Sequence, residues 1–280
     1  MSSATATAAI SDLLQPDRIR VEEELSRLLS AGDAPASPVS AAMRYAVLGR
    51  GQRIRPILSL RVARLAGTES ELIVRAAAAV EILHCASLVV DDLPCMDNED
   101  YRRGRPTTHR VHGEFTALLA SFGLVSLSAR AIVEQRCSPT ELSALIRFQI
   151  ELLKVLDASG LCEGQDLDLR LTGDERERLR ARMIELKTVP LFVLASQAGL
   201  MFTDPKTHPA RILRKFAREY GLAFQIVDDY LDGECADIAI VEAQLRRCRE
   251  TLAPLAPAAG PLEEMIDYLY ARSHTVSRPS

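Results

Sequence analysis

The sequence predicts an all-α fold, a single-domain helical bundle, on three observations. Apolar residues recur at three- and four-residue spacing in run after run, as helix faces packed on a core require. No stretch sustains the period-two alternation of β-branched residues expected of a half-buried strand. The chain has 280 residues, 48% of them hydrophobic, enough to bury one large core or two smaller ones, and its Gly and Pro residues mark turns without forcing a division.

Residues 1–14, rich in Ser, Thr and Ala, read as a loose tail, followed by one all-α domain over 15–280. A helix is expected over 17–29, where IRVEEELSRLL has helical spacing, and Ala31-Gly32-Asp33-Ala34-Pro35 ends it. Ser37-Pro38 opens the next, to about residue 48, with Pro in its tolerated first turn. Residues 49–56 form a basic break before helix resumes through ILSLRVARLAG. A long apolar helix from about residue 71 leads into a group of acids, where Pro94 should kink or end it. Thr107-Thr108 can cap a helix running to about 135, and Ser138-Pro139-Thr140 starts another over 141–156. The segment after Gly164 is polar and is assigned to no helix. Residues 175–200 read as one helix kinked at Pro190, residues 209–231 as another, and two shorter helices close the chain near 236–253 and 261–272. There is no internal repeat beyond a loose echo between two acidic groups.

A formal net charge of -4 argues against nucleic acid or anionic membrane as partners. The six cysteines form no CxxC pair and several lie in apolar helical stretches, so they read as buried free thiols of a reducing compartment. The first residues lack the basic and apolar regions of a secretory signal. The most apolar stretches are interrupted by Glu81, His84 or serines before reaching membrane-spanning length. A cytoplasmic protein without a membrane span is expected.

Two acidic groups carry the chemistry. In RAAAAVEILHCASLVVDDLPCMDNEDYRRG (75–104) an apolar helix ends in Asp91, Asp92, Asp97, Asn98, Glu99 and Asp100, followed by Arg102 and Arg103. So many carboxylates at the end of an Ala/Val/Leu helix repel one another unless cations or solvent stand between them. In GLAFQIVDDYLDG, Asp228, Asp229 and Asp232 again follow an apolar segment, with Asp228 and Asp232 on one helix face. Facing each other across a cavity, the two groups would suit several Mg2+ ions, which take carboxylate oxygens, waters and substrate phosphates. Positive charge is almost wholly arginine, with Lys only at 154, 187, 206 and 215, so Lys187 beside Thr188 stands out.

The run LHCASLVVDDLPCMDNEDYRRGRPTTHRVHGE closely resembles the first aspartate-rich region of the trans-prenyltransferases, the short-chain isoprenyl diphosphate synthases, and FQIVDDYLD resembles their second. GRGQRIRP at 49–56, GQDLDL at 164–169 and LKT at 186–188 follow in the family's order, so the resemblance spans about 40 to 235. It implies helices packed around a central cavity and Mg2+-dependent, head-to-tail condensation of isopentenyl diphosphate with an allylic diphosphate. Geranylgeranyl diphosphate is the leading product and farnesyl diphosphate the shorter alternative. Asp91, Asp97 and Asp228 match the direct metal ligands, for three Mg2+ ions once substrate is bound, with Asp92, Asp229 and Asp232 in support. Arg55, His84 and Arg103 match the site that holds isopentenyl diphosphate without metal, and Arg102 and Lys187 match groups that grip the allylic diphosphate. The implied catalytic set is Asp91, Asp92, Asp97, Arg102, Lys187 and Asp228. Gln225, one turn before Asp228, is placed to orient a metal-bound water or a phosphate, and Phe224 to line the pocket. The growing tail should run along the helix before Asp91, which makes Ala86 and Ser87 the chain-length positions. A homodimer is implied by resemblance alone.

The sequence departs from the family twice. Gln52 stands where the basic motif normally carries Lys, removing a charge from the isopentenyl site. After Asp232 the chain passes through GECADIAIVEAQL with no basic residue until Arg246, where family members carry a Gly-rich loop with a phosphate-binding Lys. These departures keep open the alternative of a weakly active or non-catalytic partner subunit that binds prenyl diphosphates. A diphosphate-ionising terpene cyclase is a third reading, set against by Arg55 and the Arg102/Arg103 pair, which point to a second phosphate substrate.

Overall fold

The computed structural model describes residues 3–30, 37–134, 137–204, 206–234 and 237–275. The chain runs α1 (Ser3–Ser30), α2 (Pro38–Val47), α3 (Ile54–Ala66), α4 (Glu71–Asp91), a hairpin of β1 (Tyr101–Arg102) and β2 (Arg105–Pro106), α5 (Thr108–His112), α6 (Glu114–Val133), α7 (Pro139–Val155), α8 (Leu161–Arg170), α9 (Gly173–Lys187), α10 (Val189–Gly199), α11 (His208–Leu231), α12 (Ile238–Leu252) and α13 (Gly260–Thr275). The all-α expectation holds. The only strands among the described residues pair Tyr101 with Pro106 and Arg102 with Arg105, too short to leave an alternating pattern.

Local signals set several helix starts. Ser37 and Ser40 form a reciprocal capping box for α2, as Ser138 and Glu141 do for α7, each with Pro in the first turn. Thr207 caps α11 by accepting from the Ala210 amide. The axis of the bundle is α4, which is buried on almost every face, as an all-apolar helix must be. Its run Ala76-Ala77-Ala78-Ala79 is buried, and small side chains there let α1, α3, α6 and α10 approach closely. The other long helix, α11, buries Leu213, Phe216, Ala217, Tyr220, Ala223 and Val227 against α10, α12 and α13. Each large side chain so buried contributes about 1.5–3 kcal/mol.

Several boundaries differ from the sequence reading. The segment expected as a loose tail is helical from Ser3, and Leu14 is fully buried. Tertiary contacts explain this: Asp17 accepts from Arg61 Nε at 2.9 Å and Arg64 Nη2 at 2.9 Å, and the Leu13 carbonyl accepts from Arg61 Nη2 at 2.8 Å. The single helix expected from 107 to 135 is divided by Gly113, whose φ of +85° no helix tolerates. The helix expected over 175–200 breaks at Thr188 and not at Pro190, which takes a place in the first turn of α10. The polar segment after Gly164 lies within α8. By length and composition α4 and α6 are long and apolar enough to cross a membrane, contrary to the expectation that polar residues interrupt every such run. Of α4's apolar window 78% is buried, which accounts for it as a core helix; α6 packs against it with 50% of its own window buried. The cysteines are mixed: Cys85 and Cys248 are buried, Cys95 and Cys162 exposed, Cys137 between, all free, and Cys235 lies outside the described residues.

Candidate active site

The first acidic wall forms where α4 runs out of apolar residues. The helix ends at Asp91, and the chain folds back so that the Asp97 amide donates to the Asp91 carbonyl at 2.8 Å. Asp91 makes no side-chain hydrogen bond or ion pair among the described residues. Burial pushes its carboxyl up to about 6, although Lys187 and Arg102 pull the other way. Asp92 faces away from it and accepts from Arg102 Nε at 2.5 Å. Asp97 accepts from Gln165 Nε2 at 2.9 Å and stands 3.9 Å from Lys187 Nζ. Lys187 itself donates to Asp168 at 2.5 Å, and Asp168 is held in turn by Arg176 at 2.6 Å. This junction depends on Gly164. A Cβ there would lie 2.8 Å from the Lys187 amide nitrogen, so only glycine lets α8 carry Gln165 and Asp168 up to the end of α9.

The second wall is basic. The β1–β2 hairpin turns through Arg103 at φ +54° and Gly104 at φ +77°, the double positive φ of a tight hairpin turn. It aims Arg103 Nη2 to 3.5 Å from His84 Nε2, and Arg55 Nη1 comes to 3.2 Å from the same nitrogen. Guanidinium groups only donate, so Nε2 accepts and the ring proton sits on Nδ1. Burial first, then Arg55 and Arg103, hold His84 well below its usual range, consistent with a neutral ring. Arg55 lies over the Phe192 ring at 4.5 Å and the Phe224 ring at 5.6 Å; burial lowers it to about 10, so it stays charged at neutral pH. Beneath, Arg53 anchors the 49–56 segment by donating to the Val47 and Gly49 carbonyls at 2.7 and 2.9 Å and to Glu81 at 2.9 Å. Gln52 reaches the same space with its buried Oε1 lacking a hydrogen bond.

A pH dependence follows from His84. The folded state binds its proton less readily than the unfolded chain, so stability is unaffected well above 6.5 and falls as pH drops below that value. The expected slope is up to about 1.4 kcal/mol per pH unit, and His84→Gln, which keeps an acceptor, should flatten it. Urea unfolding of both proteins between pH 7 and 5 measures this; parallel curves would show that His84 takes its proton without resistance.

The third wall is the end of α11. Asp228 reaches the cavity, and burial raises its carboxyl while Arg272 lowers it. Asp229, a third of a turn further round, is directed elsewhere: Arg180 Nη2 contacts it at 2.7 Å and Gln225 Nε2 donates to it at 2.8 Å. Gln225 accepts from Thr188 at 2.8 Å, so its amide bridges α9 to Asp229. Asp232 is the exposed C-cap of α11. The link from α11 to α12 contains no basic residue, and within it residues 235 and 236 lie outside the described residues.

Together these walls enclose a cavity of about 850 Å³. Gln52, Arg55, His84, Ala86, Ser87, Asp91, Arg102, Arg103, Lys187, Thr188, Phe224, Gln225 and Asp228 all line it; Asp92 is buried beside it and Asp97, partly exposed, stands next to Lys187 at its rim. Its inner end is apolar. Ala86 is buried there, with its carbonyl accepting from Ser121 on α6 at 3.0 Å. Sequence reading did not single out Gln165, Asp168, Arg176, Arg180, Glu81 or Arg272. GQDLDL pointed at the first two by its place in the motif order, while nothing near Arg272 in sequence marks it.

The polyprenyl synthetase family pattern matches residues 37–238. Geranylgeranyl pyrophosphate synthase 4 of Arabidopsis thaliana is 38% identical over 224 residues, 78% of this chain and 59% of that protein. This chain therefore spans about three-fifths of the length of the curated relatives it matches. Among solved structures, a geranyltransferase from Legionella pneumophila superposes with a TM-score of 0.85 at 28% identity, covering 95% of this chain and 98% of the other. A FPP/GFPP synthase from Zymomonas mobilis in its apo form gives a TM-score of 0.81 at 27% identity, with coverage of 95% and 98%.

Proposed function

Because the chain belongs to the polyprenyl synthetase family, we propose that it joins isopentenyl diphosphate head-to-tail to an allylic diphosphate in a Mg2+-dependent reaction, with geranylgeranyl diphosphate as the main product. One observation carries this reading. A single cavity presents carboxylates from α4 and α11 and, separately, the cations Arg55 and Arg103 gathered on the neutral His84 ring. Two diphosphates, one held through metal and one without, account for both; a substrate ionising alone needs only the first.

The carboxylates fit Mg2+. Among the described residues the Asp91 carboxyl has no hydrogen bond or ion pair and Asp228 Oδ1 no hydrogen bond, so each keeps oxygens to offer a hard cation that takes its remaining ligands from waters and phosphate. Asp91, Asp97 and Asp228 would hold it, and bound Mg2+ would neutralise charge gathering on the departing diphosphate. Arg102 and Lys187, each fixed by an ion pair, are positioned to bind allylic diphosphate oxygens. The allylic carbon–oxygen bond breaks and its electron pair leaves with the diphosphate. The isopentenyl double bond then attacks the cation, and the departed diphosphate takes up a proton from the adjoining carbon, which restores an alkene. The apolar inner end of the cavity keeps water from the cation. Incubation with Mg2+, labelled isopentenyl diphosphate and dimethylallyl, geranyl or farnesyl diphosphate should give a product near C20. Binding of the primer with no turnover at any Mg2+ concentration would replace this reading with that of a non-catalytic subunit.

The tail of the product should pass Ala86. Ala86→Phe fills the space beneath the α4 terminus and is expected to shorten the main product towards C15 or C10, read by chromatography of the dephosphorylated alcohols. An unchanged product places the floor of the pocket elsewhere. At the other end, Gln52→Lys adds a charge-assisted contact worth about 1.5–3 kcal/mol. The expected result is a fall of about tenfold or more in the isopentenyl diphosphate KM, with the allylic KM unaltered. Steady-state kinetics with farnesyl diphosphate as primer decides it.

Homodimer formation is part of the proposal, supported by Phe115, Leu118, Leu119 and Phe122, an exposed apolar stripe at helical spacing on α6. Light scattering of the purified protein tests it. A reducing, cytoplasmic setting is proposed on the free thiols of the five described cysteines.

A further inference from the structure

Arg272, on α13, lines the cavity although 40 residues separate it from the second acidic group and no motif contains it. Its Nη1 stands 2.6 Å from Asp228 Oδ1. Both atoms are buried, and neither makes a hydrogen bond to any other group. The neighbouring acids behave differently. Asp92 accepts a directed bond from Arg102, and Asp229 accepts one from Gln225 and sits against Arg180. Those carboxylates are committed to the frame of the protein. Asp228 Oδ1 instead meets only the Arg272 guanidinium, and that cation also lies beside the Phe224 ring, at 5.4 Å. Arg55 lies 5.6 Å from the same ring, so two guanidinium groups crowd this end of the cavity and their mutual repulsion favours the release of one.

We infer that Arg272 is an exchangeable counter-ion: it neutralises Asp228 in the metal-free protein and is displaced when a divalent cation takes that carboxylate. The inference rests on Asp228 being a metal ligand, as proposed above. An order of loading follows from it. Among the described residues no cation stands within ion-pair distance of Asp91, on which Lys187 and Arg102 act only from further off, whereas a metal at Asp228 must first expel Arg272 from 2.6 Å. The α11 side of the cavity therefore fills last, and the expelled guanidinium becomes available to a diphosphate oxygen.

The test is a titration of the full chain with Mn2+ in the absence of any diphosphate, with free Mn2+ followed by electron paramagnetic resonance. Arg272→Gln removes the competitor and should tighten the weaker class of Mn2+ sites by about tenfold. Arg272→Lys, which keeps the charge, should stay close to wild type. The gain should vanish in Arg272→Gln combined with Asp228→Asn. Unchanged or weaker Mn2+ binding in a folded Arg272→Gln protein overturns the inference, and the weaker result would make Arg272 a residue that positions Asp228 for the metal. Wild-type protein supplies an independent readout: saturating Mn2+ should speed amide hydrogen exchange around Arg272 in α13, and unaltered exchange would also count against displacement. If no variant binds Mn2+ even with inorganic diphosphate present, the metal reading of Asp228 fails and this inference goes with it. Mn2+ binding at Asp228 that is indifferent to Arg272 removes the inference alone.

Discussion

Asp91→Asn is expected to lower kcat by a thousandfold or more while leaving the fold intact. Asp91 is a half-buried carboxylate with no ion pair, its carboxyl raised to about 6 by burial, so in the metal-free protein its charge stabilises nothing. Replacing it with a neutral isostere relieves a desolvation cost, and Tm should hold or rise. In turnover the same charge is the α4 contribution to stabilising the leaving diphosphate, and losing about 4 kcal/mol of that stabilisation corresponds to roughly a thousandfold in rate. The pairing of a large kinetic loss with an unchanged melting curve is the signature to look for. Near-normal turnover would remove Asp91 from the leaving-group site. Asp228→Asn should be as damaging to rate but harder to interpret, because it also strands Arg272.

The largest loss of stability is expected from Glu81→Ala. Glu81 and Arg53 are each 2% exposed at the side chain and 2.9 Å apart, and together they tie α4 to the start of α3. Removing the carboxylate leaves a guanidinium buried with only the Val47 and Gly49 carbonyls and a longer, 3.6 Å contact to Glu22. An unpaired buried charge of this kind costs about 3–5 kcal/mol, which for a domain of this size lowers Tm by roughly 10 °C. Urea unfolding with an unchanged m-value would assign the loss to the folded state. A loss below about 1 kcal/mol would show that Arg53 reaches water once its partner is gone. Activity should fall as well, since Arg53 fixes the segment that presents Gln52 and Arg55 to the cavity.

Much of this site could be read before any coordinates. Asp91 and Asp228 each follow an apolar stretch of a long helix, which marks them as candidate cation ligands, and the resemblance of the runs around them to two aspartate-rich motifs supplied their roles. The helices that sequence located best, α2, α7 and α11, carry their own caps and turn residues. The misses share a cause. The first turns of α1 have no apolar stripe, and the helix is seated through Leu14 and Asp17, whose partner Arg61 is far along the chain. A glycine inside α8 weighs against helix locally, and its reason, the close approach to Lys187, exists only in three dimensions. Asp229 looks equivalent to Asp228 in DDYLD, but a helix separates adjacent side chains by a third of a turn, and Arg180 and Gln225 wait on the other side. Arg272 enters from an element whose local sequence announces nothing.

The hairpin turn at Arg103 bears on any attempt to improve this protein by selection. An arginine at φ +54° is held in a backbone region where Asn or Gly is at ease, and Asn-Gly is the pair best suited to such a turn. A library screened for heat resistance would therefore be drawn to Arg103→Asn, a gain of about 0.5–1 kcal/mol at one step. The surviving clones would have lost the guanidinium that faces His84, and with it part of the grip on the second diphosphate. Screens that read thermal stability and isopentenyl diphosphate affinity on the same clones would see the two move in opposite directions at this residue.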